Sequence, residues 1–432
     1  MTPIKDMTVN KPVFCIQSPL NTRSGYGERS RDLIRAIIAL DRFDVKLIST
    51  RWGSTPMNVL KVGEDDDLLS RIVTQLTSNP DIFMQITVPN EFNPIGKYYN
   101  IGVTAGIETN LPDGSWIEGI NRMDITLVSS NHAKLGFESA VYEKRDTRTN
   151  QPIGQLRVEK PIEVLFEGIR LDKFGKTYNK SQYINELFQQ IPEQFCFLFT
   201  GMWLQGVLGE DRKNVGGMVK IFLETFKGVK NAPALVLKTT CGVPSVMDRN
   251  EIIARVEEVK AIVGGRLPNV YVVYGDLTDA EMNDLYNHPN VKVHLNFGKG
   301  EGYGRPLAEA ALTNKPIIAS GWSGHLDFLH PDHTVLIGGE LKAVHPSAVV
   351  PNMILKEAAW FDINQVEASA ALKDVWKNYS VHAERSRKSY HYMKTNFSFD
   401  NMQALIGSIL DRVLPVVPVQ QAITLPKLKR VS

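Results

Sequence analysis

Two glutamates eight residues apart, Glu301 and Glu309, lie in a stretch that combines glycine with acid, GKGEGYGRPLAEAAL. The glycines stand between a run typical of a strand and a run typical of a helix. The start of a helix favours a bound phosphate, and glycines let the backbone approach it closely. A carboxylate instead accepts hydrogen bonds from neighbouring sugar hydroxyls. One glutamate for a ribose and one for a second sugar, with phosphates between them, describes a nucleotide-sugar.

The simpler alternative is a tight loop in which Glu309 only complements the dipole of the following helix. Two better-known phosphate loops do not fit this stretch. Arg305 occupies the position at which a G-x-G-x-x-G dinucleotide loop would need its last glycine, and there is no G-x-x-x-x-G-K-S/T pattern. A dinucleotide and a nucleoside triphosphate are therefore disfavoured as ligands.

Short β-rich runs alternate with amphipathic helical stretches in two successive series. The first series predicts strands at 13–18, 44–50, 81–88, 99–106, 125–130 and 161–168, with a helix at 28–40. The second predicts strands at 194–201, 233–240, 269–276, 291–297 and 315–321, with helices at 214–229, 305–312 and 399–414. Such alternation predicts parallel sheets covered by helices on both faces. Two series joined near 168–175 predict two similar α/β domains with a cleft between them.

The composition is that of an ordinary globular protein, with 43% apolar and 22% charged residues among 432. A net charge of +2 gives no overall argument for a nucleic-acid or membrane partner. Three widely spaced cysteines indicate neither a disulfide framework nor a metal site. The N-terminus has no apolar signal core, and no run is long enough to span a bilayer, so we expect the protein in the cytoplasm.

The segment EGYGRPLAEAALTNKPIIAS resembles the E-x7-E signature of retaining, GT-B-fold glycosyltransferases of the group-1 type. The segments VLFEGIRLDKF, FLFTGMWLQGVLGEDRKNVGGMVKIF, YGDLTDAEMNDLYNHPNVKVHLNF and TNFSFDNM resemble further parts of that family. The resemblance implies an α/β protein with two Rossmann-like domains that face each other across a cleft. We expect an acceptor-side domain at 1–172, a nucleotide-sugar domain at 173–395, a helix at 396–415 that crosses back to the first domain, and an extended tail at 416–432.

The resemblance also implies roles for individual residues. Glu309 should bind the nucleotide ribose, and Glu301 should contact the transferred sugar near its reacting carbon. Lys213 matches the lysine that holds the diphosphate, and Leu277 matches the position whose backbone meets the base. The following backbone positions should hold the diphosphate and the sugar hydroxyls: Gly302, Tyr303, Gly304, Arg305, Pro306 and Leu307.

One position departs from the family pattern. An arginine usually follows the glycine that matches Gly201, but this chain has Met202 there. Either Arg212 or Arg305 supplies the second cation of the diphosphate site, or the donor is held less tightly.

Two loops of the first domain are candidates for the other side of the cleft. SGYGERSRDLIRAI opens a helix near Gly25, and in the family the matching loop approaches the diphosphate. GIETNLPDGSW resembles a family segment written E-T-x-x-L-P-x-x-W, which makes Glu108 a candidate contact for the acceptor. The alternatives are a flexible turn at Gly25 and a solvated loop carboxylate at Glu108.

No metal and no other cofactor are expected. EDDD at 64–67 contains the D-x-D pattern that a different glycosyltransferase fold uses for a metal, but a solvated turn is the better interpretation. HPDH at 330–333 offers two histidines without an apparent third ligand and indicates a turn. The charged residues at 142–160 predict a solvated hairpin.

The sequence therefore predicts a metal-independent, retaining glycosyltransferase whose donor is a nucleoside-diphosphate-sugar such as a UDP-sugar. One alternative is a phosphorylase or synthase of the same fold. The other is a sugar-nucleotide-binding protein without activity, for which Met202 is a weak argument.

The acceptor is predicted from a narrower resemblance. Segments of the first domain look like glycosyltransferases of tailed, T-even-like bacteriophages, one of whose uses is to glycosylate 5-hydroxymethylcytosine in DNA. Residues 1–165 carry 19 Lys and Arg against 20 Asp and Glu, so duplex DNA would need local basic patches. The candidates are Arg23, Arg29, Arg31, Arg35, Lys144, Arg145, Arg148 and the tail segment KLKR. The alternative acceptor is a carbohydrate or a lipid-linked molecule.

Overall fold

The computed structural model describes residues 11–146, 148–177 and 181–416. The strands of its first half are β1 Val13–Ser18, β2 Asp44–Ser49, β3 Ile82–Ile86, β4 Tyr99–Thr104, β5 Ile125–Val128, β6 Tyr142–Arg145, β7 Pro152–Leu156 and β8 Ile162–Val164. Six of them form a parallel sheet in the order β2-β1-β3-β4-β5-β8, and β6 pairs with β7 as an antiparallel hairpin. Strands β3 and β5 are buried along their whole length because helices cover both faces of the sheet.

The helices of this half are α1 Gly25–Ala39, α2 Asp66–Leu69, α3 Gly114–Arg122 and α4 Asn131–Ser139. Three of them have an N-cap residue whose side chain accepts a hydrogen bond from a backbone N–H of the first turn. These residues are Ser24 for α1, Asp113 for α3 and Ser130 for α4. Such caps satisfy N–H groups that the helix itself cannot pair. They also fix where the loops after β1, β4 and β5 end.

The second half repeats this architecture. Strands β9 Cys196–Thr200, β10 Ala234–Lys238, β11 Val270–Val273, β12 Val291–Asn296, β13 Ile317–Ser320 and β14 Val335–Ile337 form a parallel sheet in the order β11-β10-β9-β12-β13-β14. Its helices are α5 Gln182–Gln189, α6 Val215–Phe226, α7 Val246–Val263, α8 Asp279–Asn287 and α9 Arg305–Ala311. The antiparallel pair β15 Gly339–Ala343 and β16 Ala359–Ile363 follows, then α10 Gln365–Lys377, α11 Tyr379–Asn396 and α12 Phe399–Val413.

The chain passes between the two halves after β8 and again before α12. At this double crossing the N–H of Ile169 donates to the carbonyl of Phe397, and the N–H of Phe399 donates to the carbonyl of Ile169. Beyond it, Met402 and Ile406 of α12 belong to the hydrophobic core under the first sheet. The last helix therefore packs on the first half of the chain.

The structure confirms the predicted strands and the alternation of strands with helices, although several elements have different ends. Strand β8 ends at Val164 rather than at residue 168, and α1 begins at Gly25 rather than at residue 28. Helix α9 begins at Arg305, as predicted, and ends at Ala311 rather than at residue 312. The predicted hairpin is present as β6 and β7. Within the described ranges, no helix is long and apolar enough to cross a membrane.

Gly168 should be required for the double crossing. A Cβ atom at Gly168 would lie 2.7 Å from the carbonyl oxygen of Ser398 and 2.8 Å from the Cα of Phe399, both of which are backbone atoms. We expect Gly168→Ala to lower the free energy of unfolding by about 1–3 kcal/mol, as overpacking does. The measurement is chemical unfolding without ligand. Gly175→Ala is the control, because a Cβ there meets nothing within 4 Å; equal stability of the two variants would contradict this account.

Candidate active site

The loop after β12 carries Glu301 into close contact with the first half of the chain. The Ser130 hydroxyl donates a hydrogen bond of 2.6 Å to the carbonyl of Gly302. A Cβ at Gly300 would lie 2.0 Å from the Glu108 carbonyl oxygen, and one at Gly302 would lie 2.5 Å from that of Ala105. These glycines are therefore needed for the close approach of two backbones, in addition to any ligand.

Glu301 is a buried carboxylate with two cations beside it. Its residue is 5% exposed, Lys213 donates a short hydrogen bond to Oε1, and Nη1 of Arg212 lies 3.4 Å from Oε2. Burial alone would raise the pKa of Glu301, but Lys213 and Arg212 lower it to about 2. Glu301 therefore carries a negative charge at neutral pH.

Glu108 contacts one of these cations, Arg212, from the opposite side of the cleft. Nε of Arg212 lies 2.7 Å from Oε2 of Glu108, and Nη1 of Arg212 donates to the carbonyl of Gly300 at 2.6 Å. The side chain of Glu108 is 39% exposed, against 6% for Glu301. Glu108 is thus at the solvent side of a row of charges formed by Glu108, Arg212, Glu301 and Lys213.

Glu309 lies on α9 in a different electrostatic setting. Its Oε2 accepts a hydrogen bond of 3.1 Å from the Tyr286 hydroxyl, and its Oε1 lies 3.3 Å from Nε of Arg305. Burial, which outweighs the nearby Arg305, raises the pKa of Glu309 to about 7. The charge of this carboxyl group therefore changes near neutral pH.

Arg305 is enclosed by carboxylates. Its Nη2 lies 2.7 Å from Oδ2 of Asp32 and 3.7 Å from Glu28, both on α1, and its Nη1 lies 3.8 Å from Glu167 after β8. With Glu309, four carboxylates surround one guanidinium. Both arginines proposed as the second diphosphate cation are thus paired with carboxylates, Arg305 with these four and Arg212 with Glu108 and Glu301.

The backbone of Glu301 is held by the segment after β13. Its N–H donates to Oγ of Ser323 at 2.9 Å, and its carbonyl accepts from the N–H of Gly324 at 2.9 Å. Ser323 has φ 86° and ψ −161°, a region that is otherwise occupied almost entirely by glycine. A serine in this strained conformation indicates that its hydroxyl group is needed at this place.

The other residues expected at the donor site lie at the ends of neighbouring strands. Gly25 begins α1, and a Cβ there would meet nothing within 4 Å. Gly201 follows β9 directly, where a Cβ would lie 2.8 Å from the ring of Phe199. Met202, next to it, is 41% exposed, and Leu277 is half-buried between β11 and α8.

Four of the six positions from Gly302 to Leu307 are buried, and Arg305 and Pro306 are half-buried. Tyr303 and Leu307 are buried in the core of the second half, and the Tyr303 hydroxyl has no hydrogen-bond partner among the described residues. Gly304 has φ 96° and is the N-cap of α9. A left-handed residue at this position explains the glycine.

Several of the residues suggested to bind DNA phosphates prove to be internal. Arg29 is 2% exposed and bonds to Ser129 and the Leu165 carbonyl, and Arg31 is 6% exposed and bonds to the Leu20 and Thr22 carbonyls. The suggestion is wrong for these two arginines because their guanidinium groups are consumed by the fold.

The other suggested residues remain nearer to solvent. Arg35 is paired with Asp65 and Asp67 of the EDDD segment. Arg23 is half exposed, 3.7 Å from Asp276, while Lys144, Arg145 and Arg148 are exposed on the hairpin. The segment KLKR lies outside the described residues. In the described ranges, no cluster of three or more His, Cys, Asp or Glu side chains could hold a metal ion.

No protein-family profile and no curated protein matches the chain. Solved structures match nearly all of it. A glycosyltransferase from Rickettsia africae is similar with a TM-score of 0.61 at 12% identity, over 93% of this chain and 98% of that one. HepE from Anabaena, solved with UDP and glucose, has a TM-score of 0.58 at 13% identity over 93% and 100%. Sucrose-phosphate synthase from Thermosynechococcus elongatus has a TM-score of 0.59 at 11% identity, over 94% of this chain and 99% of that one.

These likenesses, with the two parallel six-stranded sheets, confirm the expected fold class. The chain has the GT-B fold of two Rossmann-like domains. At identities this low the likeness shows the fold alone, so the role of each site residue has to be argued from its own surroundings.

Sequence reasoning did not identify Asp32, Glu167, Ser130 or Ser323 as part of the site. Asp32 stands in the charged run ERSRD, which is typical of a solvated helix face, yet it is 2% exposed. The sequence contains no local signal that these side chains meet the loop of Glu301 and Arg305, because their partners are far away along the chain.

The raised pKa of Glu309 predicts how stability depends on pH. The unfolded side chain ionises near pH 4.5 and the folded one near 7, so folding loses stability as the pH rises between these values. The loss is about 3 kcal/mol. We expect Glu309→Gln to abolish this part of the decline, so that the variant gains stability over the wild type between about pH 5 and about pH 8. Chemical unfolding without ligand measures it, with Glu258→Gln on α7 as the exposed control; a parallel decline in Glu309→Gln would contradict the prediction.

Proposed function

We propose that this chain transfers a sugar from a nucleoside-diphosphate-sugar to an acceptor hydroxyl, with retention of the anomeric configuration. The observation that carries the proposal is the pair Glu301 and Glu309, which stand on one loop and helix at the carboxyl end of β12, where two parallel sheets face each other. This edge of an open α/β sheet is where such folds bind ligands. HepE was solved with UDP-glucose, and the trehalose-6-phosphate protein of E. coli, which has a similar fold, with UDP-2-fluoro glucose; both support a nucleotide-sugar as donor.

Each charged group has a role in this reaction. Glu309 accepts hydrogen bonds from the ribose, and Leu277 meets the base through its backbone. The backbone at 302–307 surrounds the diphosphate together with two glycines. Gly25 approaches it from the first domain, and Gly201 from the second domain, after β9. Lys213 and Arg212 stabilise the negative charge that grows on the diphosphate as its bond to the anomeric carbon breaks, which is the electrostatic term that usually dominates such catalysis.

Glu301 faces the sugar. It is ionised and held rigidly by Ser323, Gly324, Lys213 and Arg212, so it can stabilise positive charge at the reacting carbon. The acceptor hydroxyl attacks on the face from which the diphosphate leaves, and its proton passes to a diphosphate oxygen. Glu108, the most exposed group of the charge row, lies on the acceptor side. No metal or other cofactor takes part, because these cations hold the diphosphate.

Donor binding and turnover should depend on different glutamates. We expect Glu309→Ala to raise the donor KM about 10- to 100-fold, the loss of charged hydrogen bonds. Glu301→Gln should lower kcat about 100- to 1000-fold with donor binding nearly unchanged. Release of nucleoside diphosphate from a panel of UDP-, GDP-, ADP- and dTDP-sugars, after exhaustive chelation, is the assay. The opposite pattern would overturn the assignment, and activity that needs added manganese would overturn metal independence.

Two acceptor classes follow from the resemblance and the surface. Duplex DNA with 5-hydroxymethylcytosine is the first to test, and its phosphates would meet Arg23, Lys144, Arg145 and Arg148, since Arg29 and Arg31 are internal. The modified base would also have to be flipped out of the helix to reach the donor. A carbohydrate or lipid-linked acceptor is the alternative, and a cleft bordered by the exposed carboxylate Glu108 rather than by a basic surface supports it.

The acceptor is tested by measuring the mass of the possible products. The protein and each nucleotide-sugar are incubated with duplex DNA that contains or lacks 5-hydroxymethylcytosine, and in parallel with oligosaccharides, and the products are weighed. A gain of one sugar mass on the modified nucleoside, absent from unmodified DNA, is the expected result for a DNA acceptor. A gain of one sugar mass on the oligosaccharide alone would show that the first domain binds a carbohydrate acceptor.

A further inference from the structure

Arg305 connects Glu309, on the nucleotide side of the cleft, with the helix that opens the first domain. Its Nε lies 3.3 Å from Glu309 and its Nη2 lies 2.7 Å from Asp32 of α1. Because a guanidinium is planar and its N–H directions are fixed relative to one another, the position of Asp32 determines where Nε points. The two carboxylates belong to different domains and are joined by one rigid group.

We propose that Arg305 is a positioning residue that couples Glu309 to the carboxylates of α1, so that the first domain helps to set how tightly the second domain holds its nucleotide. This inference rests on the proposed function, because it takes Glu309 as the group that binds the nucleotide ribose. The side chain of Arg305 touches neither the sugar nor the diphosphate in it.

Carboxylates outnumber guanidinium groups around Arg305, which makes the coupling sensitive to the charge of each carboxylate. Four carboxylates contact three guanidinium groups: Arg305, Arg29 beside Glu167 and Arg31 beside Glu28. Nη1 of Arg305 and Oδ1 of Asp32 are buried without a hydrogen-bond partner in the described part of the chain. Arg305 is thus shared among more negative charge than it can neutralise, and a change at any of the four reaches Glu309.

Glu28 is the most useful position to change. It faces Arg305 from α1 at 3.7 Å and is paired with Arg31. Burial would raise the pKa of Glu28, but Arg305 and Arg31 lower it to about 2, so it is ionised whenever the nucleotide binds. Its negative charge opposes ionisation of Glu309, whereas Arg305 favours it.

The following groups face Glu309 directly, through Arg305 or through Asp279: Arg305 on α9, Glu28 and Asp32 on α1, Glu167 after β8, Tyr286 and Asp279 on α8, and Lys173, which pairs with Asp279 and also favours the ionised forms of Glu28 and Asp32. The ribose hydroxyls donate to an ionised carboxylate better than to a neutral one. Nucleotide affinity should therefore increase as the pH rises through the pKa of Glu309, about 7, and then level off.

The experiment measures the pH midpoint of this increase for the nucleotide-sugar that stabilises the wild type most. A nucleotide-sugar is used because its diphosphate diester does not titrate near neutral pH. Glu28→Gln removes a like charge and should shift the midpoint downward by about half a unit to one unit. Arg305→Met removes the cation and should shift it upward by about one unit or more. Asp65→Asn is the matched control, since Asp65 also pairs with an arginine of α1, at 2.6 Å, but does not contact Arg305.

Opposite shifts with an unchanged control support the coupling. An unchanged midpoint in Glu28→Gln, with nucleotide still bound, would overturn it. Glu28→Gln is nearly isosteric, so the test stands even if Arg305→Met does not fold. If no nucleotide-sugar binds the wild type at any pH, the proposed function fails instead, and the two failures are thereby distinguished.

Discussion

The structure of the cleft depends on one constraint, which is that a buried charge must be paired. Glu301 is 5% exposed and the side chain of Arg305 is 10% exposed, so either one without its partners would cost several kcal/mol. The partners come from other segments: Glu301 is paired by the loop before α6, and Arg305 by α1, by the stretch after β8 and by its own helix. Through Arg305, charge pairing therefore joins the two halves of the chain beside the candidate site.

Parallel sheets make this arrangement possible. All strands of each sheet end at the same edge, so loops that are far apart in the chain meet there. Gly300 and Gly302 then bring the backbone after β12 against the carbonyls of Glu108 and Ala105, the loop that follows β4. The glycines that indicate a phosphate loop in the sequence also serve the contact between domains, and both requirements exclude a side chain at these positions.

How far the sequence predicts this protein depends on whether a feature is local. The strands are short β-rich runs, so the fold class could be predicted, and so could the loop between β12 and α9 that carries Glu301. Arg305 and Asp32 are separated by 273 residues, and the sequence around either residue does not indicate that the two form a pair. For the same reason Arg29 looked like a surface cation, although its guanidinium bonds to Ser129 and to the Leu165 carbonyl, far along the chain. Arg31 also looked like one, but it bonds to the Leu20 and Thr22 carbonyls of the loop before its own helix. Burial of charge is decided by tertiary partners, which a local pattern does not contain.

The two glutamates of one motif end in opposite electrostatic states for a reason that the geometry supplies. Glu301 has two cations beside it, Lys213 and Arg212, of which Arg212 is also paired with Glu108. Together they outweigh burial and lower the pKa of Glu301 to about 2. Burial raises the pKa of Glu309 to about 7, because the one guanidinium beside it is shared with three other carboxylates and does not offset the burial. In the proposed reaction, a constant negative charge is what the sugar carbon requires as positive charge develops on it. A carboxyl group with a pKa near neutral pH is suited instead to a ligand contact. Hydroxyl groups that donate to it favour its ionised form, so ligand binding and ionisation support each other. The spacing of the motif places the two groups, and the unequal supply of cations around them separates their roles.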